Sequence, residues 1–129
     1  MDDLNKSADI PNAKSKPVDL EVLFATYGQQ LIADLLTDYV LEADERMVQL
    51  ADAINKKNID AVNQYVHDLK GSSATIYATE LADLSTSMEA YARGQDYTWD
   101  GMKTRFDEIE KAWVHARKYL ADEGYCEPR

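Results

Sequence analysis

Residues 29–56 read QQLIADLLTDYVLEADERMVQLADAINK. Apolar side chains recur here every three or four residues, the period of an α-helix with one buried face, at Ile32, Leu35, Leu36, Tyr39, Ala43, Met47, Leu50 and Ile54. The opposite face carries carboxylates that we interpret as solvated, at Asp34, Asp38, Glu42, Glu45 and Asp52. Because a helix of this length needs partners to cover its apolar face, the stretch predicts a helical bundle.

Shorter stretches with the same period lie on both sides of this helix. They predict a short helix over 19–27 ended by Gly28, a third helix after the N-cap Asn58, a fourth over 79–93 with Gly94 at its C-cap, and a fifth after the loop 95–98. No alternating apolar run predicts a strand. The predicted fold is all-α: an up-down antiparallel four-helix bundle with a short additional N-terminal helix.

The 129 residues suit one domain, predicted over residues 18–122. The polar segment 1–17, which contains two prolines, predicts a flexible N-terminal tail, and residues 123–129 predict a frayed C-terminal tail. The initial methionine and these two tails favour a free-standing protein.

The composition excludes several classes of function. A net charge of −10 repels phosphate backbones and anionic membrane surfaces, so neither nucleic acid nor membrane is an expected partner. No apolar run is long enough to span a bilayer, and the N-terminus does not resemble a signal peptide. Two histidines and one cysteine, Cys126, are too few for most zinc sites, and Cys126 is predicted to be inert. We expect a cytoplasmic monomer.

Residues 67–73, which read HDLKGSS, break the pattern of ordinary packing. Gly71 in a helix interior costs about 1 kcal/mol relative to alanine. His67 lies beside the apolar stripe, Lys70 can lean back toward its ring, and Gly71 leaves the adjacent helix surface bare. An accessible imidazole beside a cation suits exchange of a phosphoryl group with another macromolecule.

Each of these residues also has an ordinary interpretation. His67 alone would be a surface histidine and Lys70 a solvated lysine. Gly71 and the serines could permit close helix packing, which is the favoured interpretation for Ser73 on the core stripe.

The stretch resembles the histidine-containing phosphotransfer (HPt) domain of bacterial phosphorelays, whose pattern is roughly H-x-L-K-G-[SA]-[SA]-x-x-x-G-A-x-x-L. The matching residues are His67, Leu69, Lys70, Gly71, Ser72, Ser73, Ala78 and Leu81, and the similarity covers about residues 18–120. The resemblance implies that His67 accepts a phosphoryl group from the aspartyl-phosphate of a receiver domain and passes it to another receiver. The expected partners are receiver domains of a hybrid sensor kinase and of response regulators. Lys70 and Gly71 would contact the phosphate or the receiver.

The resemblance also implies a phosphocarrier without kinase activity of its own. It implies no cofactor and no metal site in this chain, since the Mg²⁺ belongs to the partner receiver.

Two further positions carry expectations. Glu89 lies 22 residues after His67, where the family often places Gln or Glu facing the histidine. It either orients the imidazole by accepting a hydrogen bond from Nδ1–H, which leaves Nε2 free, or is an ordinary surface glutamate. Tyr77 replaces the second glycine of the pattern. We predict an ordinary right-handed or extended backbone there and a ring at the bundle margin.

Two other functions compete with phosphotransfer. A non-catalytic helical adaptor would explain the bundle but not the register of His67 with Lys70 and Gly71. A metal-carboxylate enzyme would need Glu three residues before a histidine, whereas Gln64 and Ala112 precede His67 and His115. His115 is interpreted as a surface residue.

Overall fold

Five helices follow one another in the computed structural model, which describes residues 16–128. They are α1 (Leu20–Tyr27), α2 (Gln29–Asn55), α3 (Ile59–Thr75), α4 (Thr79–Arg93) and α5 (Trp99–Asp122). The described residues contain no strand, which confirms the predicted helical bundle with its short first helix. The flexible tail was predicted over residues 1–17, and residues 1–15 of it lie outside the described part of the chain. None of the five helices is long and apolar enough to cross a membrane.

Three of the five helices, α1, α3 and α5, begin where a side-chain oxygen replaces a missing helical hydrogen-bond acceptor. Asp19 accepts from the Val22 backbone N–H at 3.2 Å at the start of α1. Asn58 accepts from Ala61 N–H at 3.1 Å before α3, which confirms its prediction as an N-cap. Thr98 caps α5 in the same way.

Three helices end in the same left-handed turn. Lys57, Tyr77 and Gly124 have φ angles of 55°, 57° and 89°, and the residue after each donates its N–H to a carbonyl five positions earlier. At the end of α3 this bond joins Ala78 N to Ser73 O at 2.8 Å. The prediction of an ordinary backbone at Tyr77 is therefore wrong. The left-handed turn requires a positive φ at the position that Tyr77 occupies. The Tyr77 carbonyl also accepts a hydrogen bond from Asp19 N–H at 3.2 Å, which holds this peptide in place.

The four long helices form a closed ring. Each packs against the next in the chain, α2 packs against α5, and α1 packs on α2. Short connections between neighbouring helices make successive helices antiparallel. The interior contains leucine, isoleucine, valine and methionine side chains from all four, including Leu36, Leu50, Leu69, Leu81 and Ile109, which are all at most 1% exposed.

A polar cluster joins α2 to α5, the contact that closes the ring of four helices. Asp44 accepts from Trp113 Nε1 at 2.9 Å, and Arg117 Nε lies 3.1 Å from both carboxylate oxygens. Tyr39 packs edge-on against Trp113, with ring centroids 5.6 Å apart. Both charged side chains of the pair are largely shielded from solvent, which strengthens their interaction.

The C-terminal segment is held against the bundle. Arg117 donates to the Glu127 carbonyl at 2.7 Å, and Tyr125 and Cys126 pack against the core. The prediction that residues 123–129 fray stays a prediction; of these residues, 123–128 are described and make the contacts above. The tail has few apolar residues, but those it has reach the core between α2 and α5. Burial raises the pKa of the Cys126 thiol, which disfavours the reactive thiolate.

Candidate functional site

His67 lies near the middle of α3 and points away from the core. Its neighbours Val66 and Leu69 are fully buried, and they fix the rotation of the helix. One residue beyond the apolar stripe, the His67 side chain is 60% exposed. The imidazole is thus presented on a rigid helix to any macromolecule that docks there.

Glu89 on α4 contacts this imidazole from the adjacent helix. Its side chain is only 9% exposed, and Oε2 lies 2.8 Å from His67 Nδ1. An ionised carboxylate can only accept hydrogen bonds, so Nδ1 carries the proton in this contact. Within residues 16–128, Nε2 has no hydrogen-bond partner, and its lone pair is available for attack on an electrophile.

Cations keep Glu89 in its charged form. Lys70 Nζ donates to Oε1 at 2.7 Å, and Arg93 donates to Oε2 at 3.2 Å. The pKa of Glu89 is lowered to about 2, chiefly by the hydrogen bond from Lys70; burial opposes this, and the His67 contact adds to it. Glu89 is consequently a carboxylate at any pH at which the protein works.

Lys70 binds the same carboxylate that contacts the imidazole. Its ammonium group is paired with Glu89, and its side chain is 34% exposed. Lys70 therefore has an anionic partner before any phosphoryl group arrives. Its predicted contact with phosphate remains a prediction.

Gly71 leaves the helix bare next to the imidazole. The residue is exposed, and a Cβ atom built on it would meet nothing within 4 Å. Packing within the bundle therefore does not require glycine at this position. The free space is on the outside, where a partner can approach.

Arg93 is the residue that sequence reasoning missed. It lies one helical turn after Glu89, and this spacing brings the two side chains together. The pair belongs to the site only because Glu89 also contacts His67. On the other flank of the histidine, Asp68 lies 3.6 Å from Arg46 Nε of α2. The helix of His67 is thus joined to α4 by one ion-pair cluster and to α2 by a second ion pair.

Ser73 serves packing, as its place on the core stripe predicts. It is fully buried, and its hydroxyl is 2.9 Å from the hydroxyl of Tyr39 on α2. Burial raises the pKa of Tyr39, so the phenol stays neutral. His115 lies exposed on α5 and has no part in the His67 cluster. Residues 16–128 hold no group of three or more His, Cys, Asp or Glu side chains that could bind a metal ion.

These features define a class of protein: a helical bundle that presents an accessible imidazole beside a buried carboxylate of the neighbouring helix. The Hpt domain family model matches residues 34–118, about two thirds of the chain, and the chain belongs to this family. Family membership gives the domain a phosphotransfer role in a phosphorelay.

One curated relative is the phosphorelay intermediate protein rdeA of Dictyostelium discoideum. The identity is 24% over 110 residues, which are 84% of this chain and 42% of the relative. The chain therefore matches less than half the length of that protein. No solved structure matches the chain significantly.

Proposed function

We propose that His67 accepts a phosphoryl group from the aspartyl-phosphate of one receiver domain and passes it to the aspartate of another. The observation that carries this proposal is the contact of Nδ1 with an ionised carboxylate at 2.8 Å on an otherwise exposed ring. This contact selects the tautomer whose Nε2 is nucleophilic and accessible.

The transfer is a direct exchange of bonds at phosphorus. The Nε2 lone pair attacks phosphorus, the N–P bond forms, and the P–O bond to the donor aspartate breaks with its electron pair on the departing carboxylate. Since Nδ1 keeps its proton, the phosphorylated ring becomes cationic. Glu89 balances that charge at hydrogen-bond distance. Donation to the second receiver reverses these steps.

The neighbouring residues have complementary roles in this proposal. Lys70 moves from Glu89 toward the phosphoryl oxygens, where its ammonium group stabilises negative charge. Gly71 lets the backbone of the receiver approach the imidazole. The receiver supplies Mg²⁺ and the acidic residues that bind it.

The domain acts as a phosphocarrier without kinase activity of its own, because it moves an existing phosphoryl group. Its proposed partners are the receiver domains of a hybrid sensor kinase and of response regulators, and it works as a monomer. The rigid presentation of His67 from one helix supports docking by receivers in turn.

Phosphoryl transfer from a phosphorylated receiver tests the proposal. We expect wild type to gain acid-labile, base-stable phosphate, and His67→Gln to gain none. The His67→Gln variant should remain folded, because a side chain that is 60% exposed contributes little packing. His115→Gln is the matched control, since it removes the other histidine, and it should transfer normally. Phosphate on the His67→Gln protein would place the acceptor elsewhere.

A further inference from the structure

We propose that Glu89 sets the lifetime of the phosphorylated protein by holding the proton on Nδ1 of phosphohistidine 67, so that the phosphoryl group always leaves from a cationic ring. This inference rests on His67 being the phosphoacceptor. It assigns Glu89 a role beyond orientation: its negative charge makes the phosphoryl group easy to lose.

Orientation and charge are separable at this position. The 2.8 Å contact with Nδ1 could be made by an amide oxygen of the same shape. A glutamine would orient the ring equally well but would stabilise a positive charge on it much less. The buried carboxylate, 9% exposed, does so with less screening by water than a surface carboxylate.

The surrounding charges leave Glu89 as the anion in contact with the ring. On α3, Lys70 points to Glu89, and Asp68 is directed toward Arg46 of α2. On α4, Arg93 also binds Glu89. Before transfer, the two cations keep the carboxylate ionised, and its Oε2 lies 2.8 Å from Nδ1. When Lys70 turns to the phosphoryl oxygens, Arg93 and the cationic ring still face Glu89.

The proton on Nδ1 decides how readily the N–P bond breaks. When water attacks phosphorus, an O–P bond forms and the N–P electron pair returns to Nε2. With Nδ1 protonated, the departing group is neutral imidazole, whereas without that proton it is an imidazolate anion, a much poorer leaving group. Attack by a receiver carboxylate follows the same rule. A ring that keeps its proton is therefore a strong donor with a short lifetime in water.

The test compares wild type with Glu89→Gln and Asp68→Asn after phosphorylation by phosphoramidate, a small-molecule donor. The donor is removed, and loss of phosphohistidine is followed by ³¹P NMR between pH 6 and pH 9. Near pH 8, we expect Glu89→Gln to lengthen the lifetime roughly three- to tenfold, because a charge-assisted hydrogen bond is about twice as strong as a neutral one. Near pH 6, where solvent protonates the ring in either protein, the lifetimes should converge.

Asp68→Asn is the matched control, because it removes one negative charge from the residue next to His67 without touching the ring. Its lifetime near pH 8 should stay close to wild type. The inference is overturned if Glu89→Gln has an unchanged or shorter lifetime, if Asp68→Asn matches Glu89→Gln, or if phosphoramidate leaves His67 unmodified. A protein that is phosphorylated by phosphoramidate but never by a receiver would refute the relay function while leaving this inference standing.

Discussion

Gly71 lowers the helix propensity in the middle of α3, although no close packing requires a glycine there. Its replacement by glutamine should raise helix propensity and increase the free energy of unfolding by up to about 1 kcal/mol. The new side chain would lie beside the imidazole in space that is open in the structure, so phosphoryl transfer from a receiver should fall by an order of magnitude or more. Urea denaturation and a transfer assay measure the two effects.

Gly71→Ala is the graded control for this prediction, because alanine supplies at least the helix propensity of glutamine with one small group. Its stability should match Gly71→Gln, while its transfer rate should lie between glutamine and wild type. Normal transfer by Gly71→Gln would show that the bare surface has no part in docking.

At the level of single residues, the resemblance to the HPt pattern predicts which side chains could face each other but not how deeply they are buried. It implies that Glu89, 22 residues after His67, could face the histidine, and Oε2 and Nδ1 of the two side chains are 2.8 Å apart. The burial of the Glu89 side chain between α3 and α4 depends on the register of the two helices. The apolar pattern of either helix alone does not specify that register. For the same reason, the sequence did not predict that Lys70 and Arg93 share one carboxylate.

The end of α3 stores backbone strain at Tyr77. Left-handed backbone is costly for a side chain with a Cβ atom, and Tyr77 adopts it with φ 57°. Replacement by glycine removes that strain and also loses the contacts of the ring, which is 37% exposed. Replacement by alanine loses the same contacts and keeps the strain.

We therefore expect Tyr77→Gly to be more stable than Tyr77→Ala by about 1 kcal/mol, the reverse of the usual order in helices. Thermal denaturation followed by circular dichroism measures the difference. An alanine variant as stable as the glycine variant would mean that the turn is not strained at this residue. Receiver-dependent phosphorylation of both variants should stay near wild type, since the turn lies ten residues beyond His67.

Helix boundaries are predictable where the local signal and the tertiary structure agree. Asn58 and Gly94 mark the start of α3 and the end of α4, and both lie at those ends in the structure. The prediction of an ordinary backbone at Tyr77 was wrong because the usual sequence signal for a left-handed turn is glycine, and this position holds tyrosine. Here the turn is imposed by the hydrogen bonds of Ala78 and Asp19.

At the scale of the molecule, closure of the ring depends on the contact between α2 and α5. Asp44→Ala would leave the Arg117 guanidinium and the indole N–H of Trp113 without this acceptor in a shielded place. We expect a loss of about 2–3 kcal/mol in the free energy of unfolding, measured in urea. The C-terminal segment, held by Arg117, should also become more sensitive to proteolysis.

Asp52→Ala is the control on the same helix, because Asp52 forms an exposed pair with Lys56. Its effect should be below about 0.5 kcal/mol. Equal losses for the two variants would show that the Asp44 cluster does not stabilise the closed ring.

The order of the helices around the ring repeats their order along the chain, and this has a kinetic consequence. Every pairing except α2 with α5 joins consecutive helices, so most native contacts form without closing a long loop. Proteins with such low contact order fold within microseconds to milliseconds. The α2–α5 pairing must bring together the first and the last of the four long helices, so we expect it to form last during folding and to separate first during unfolding.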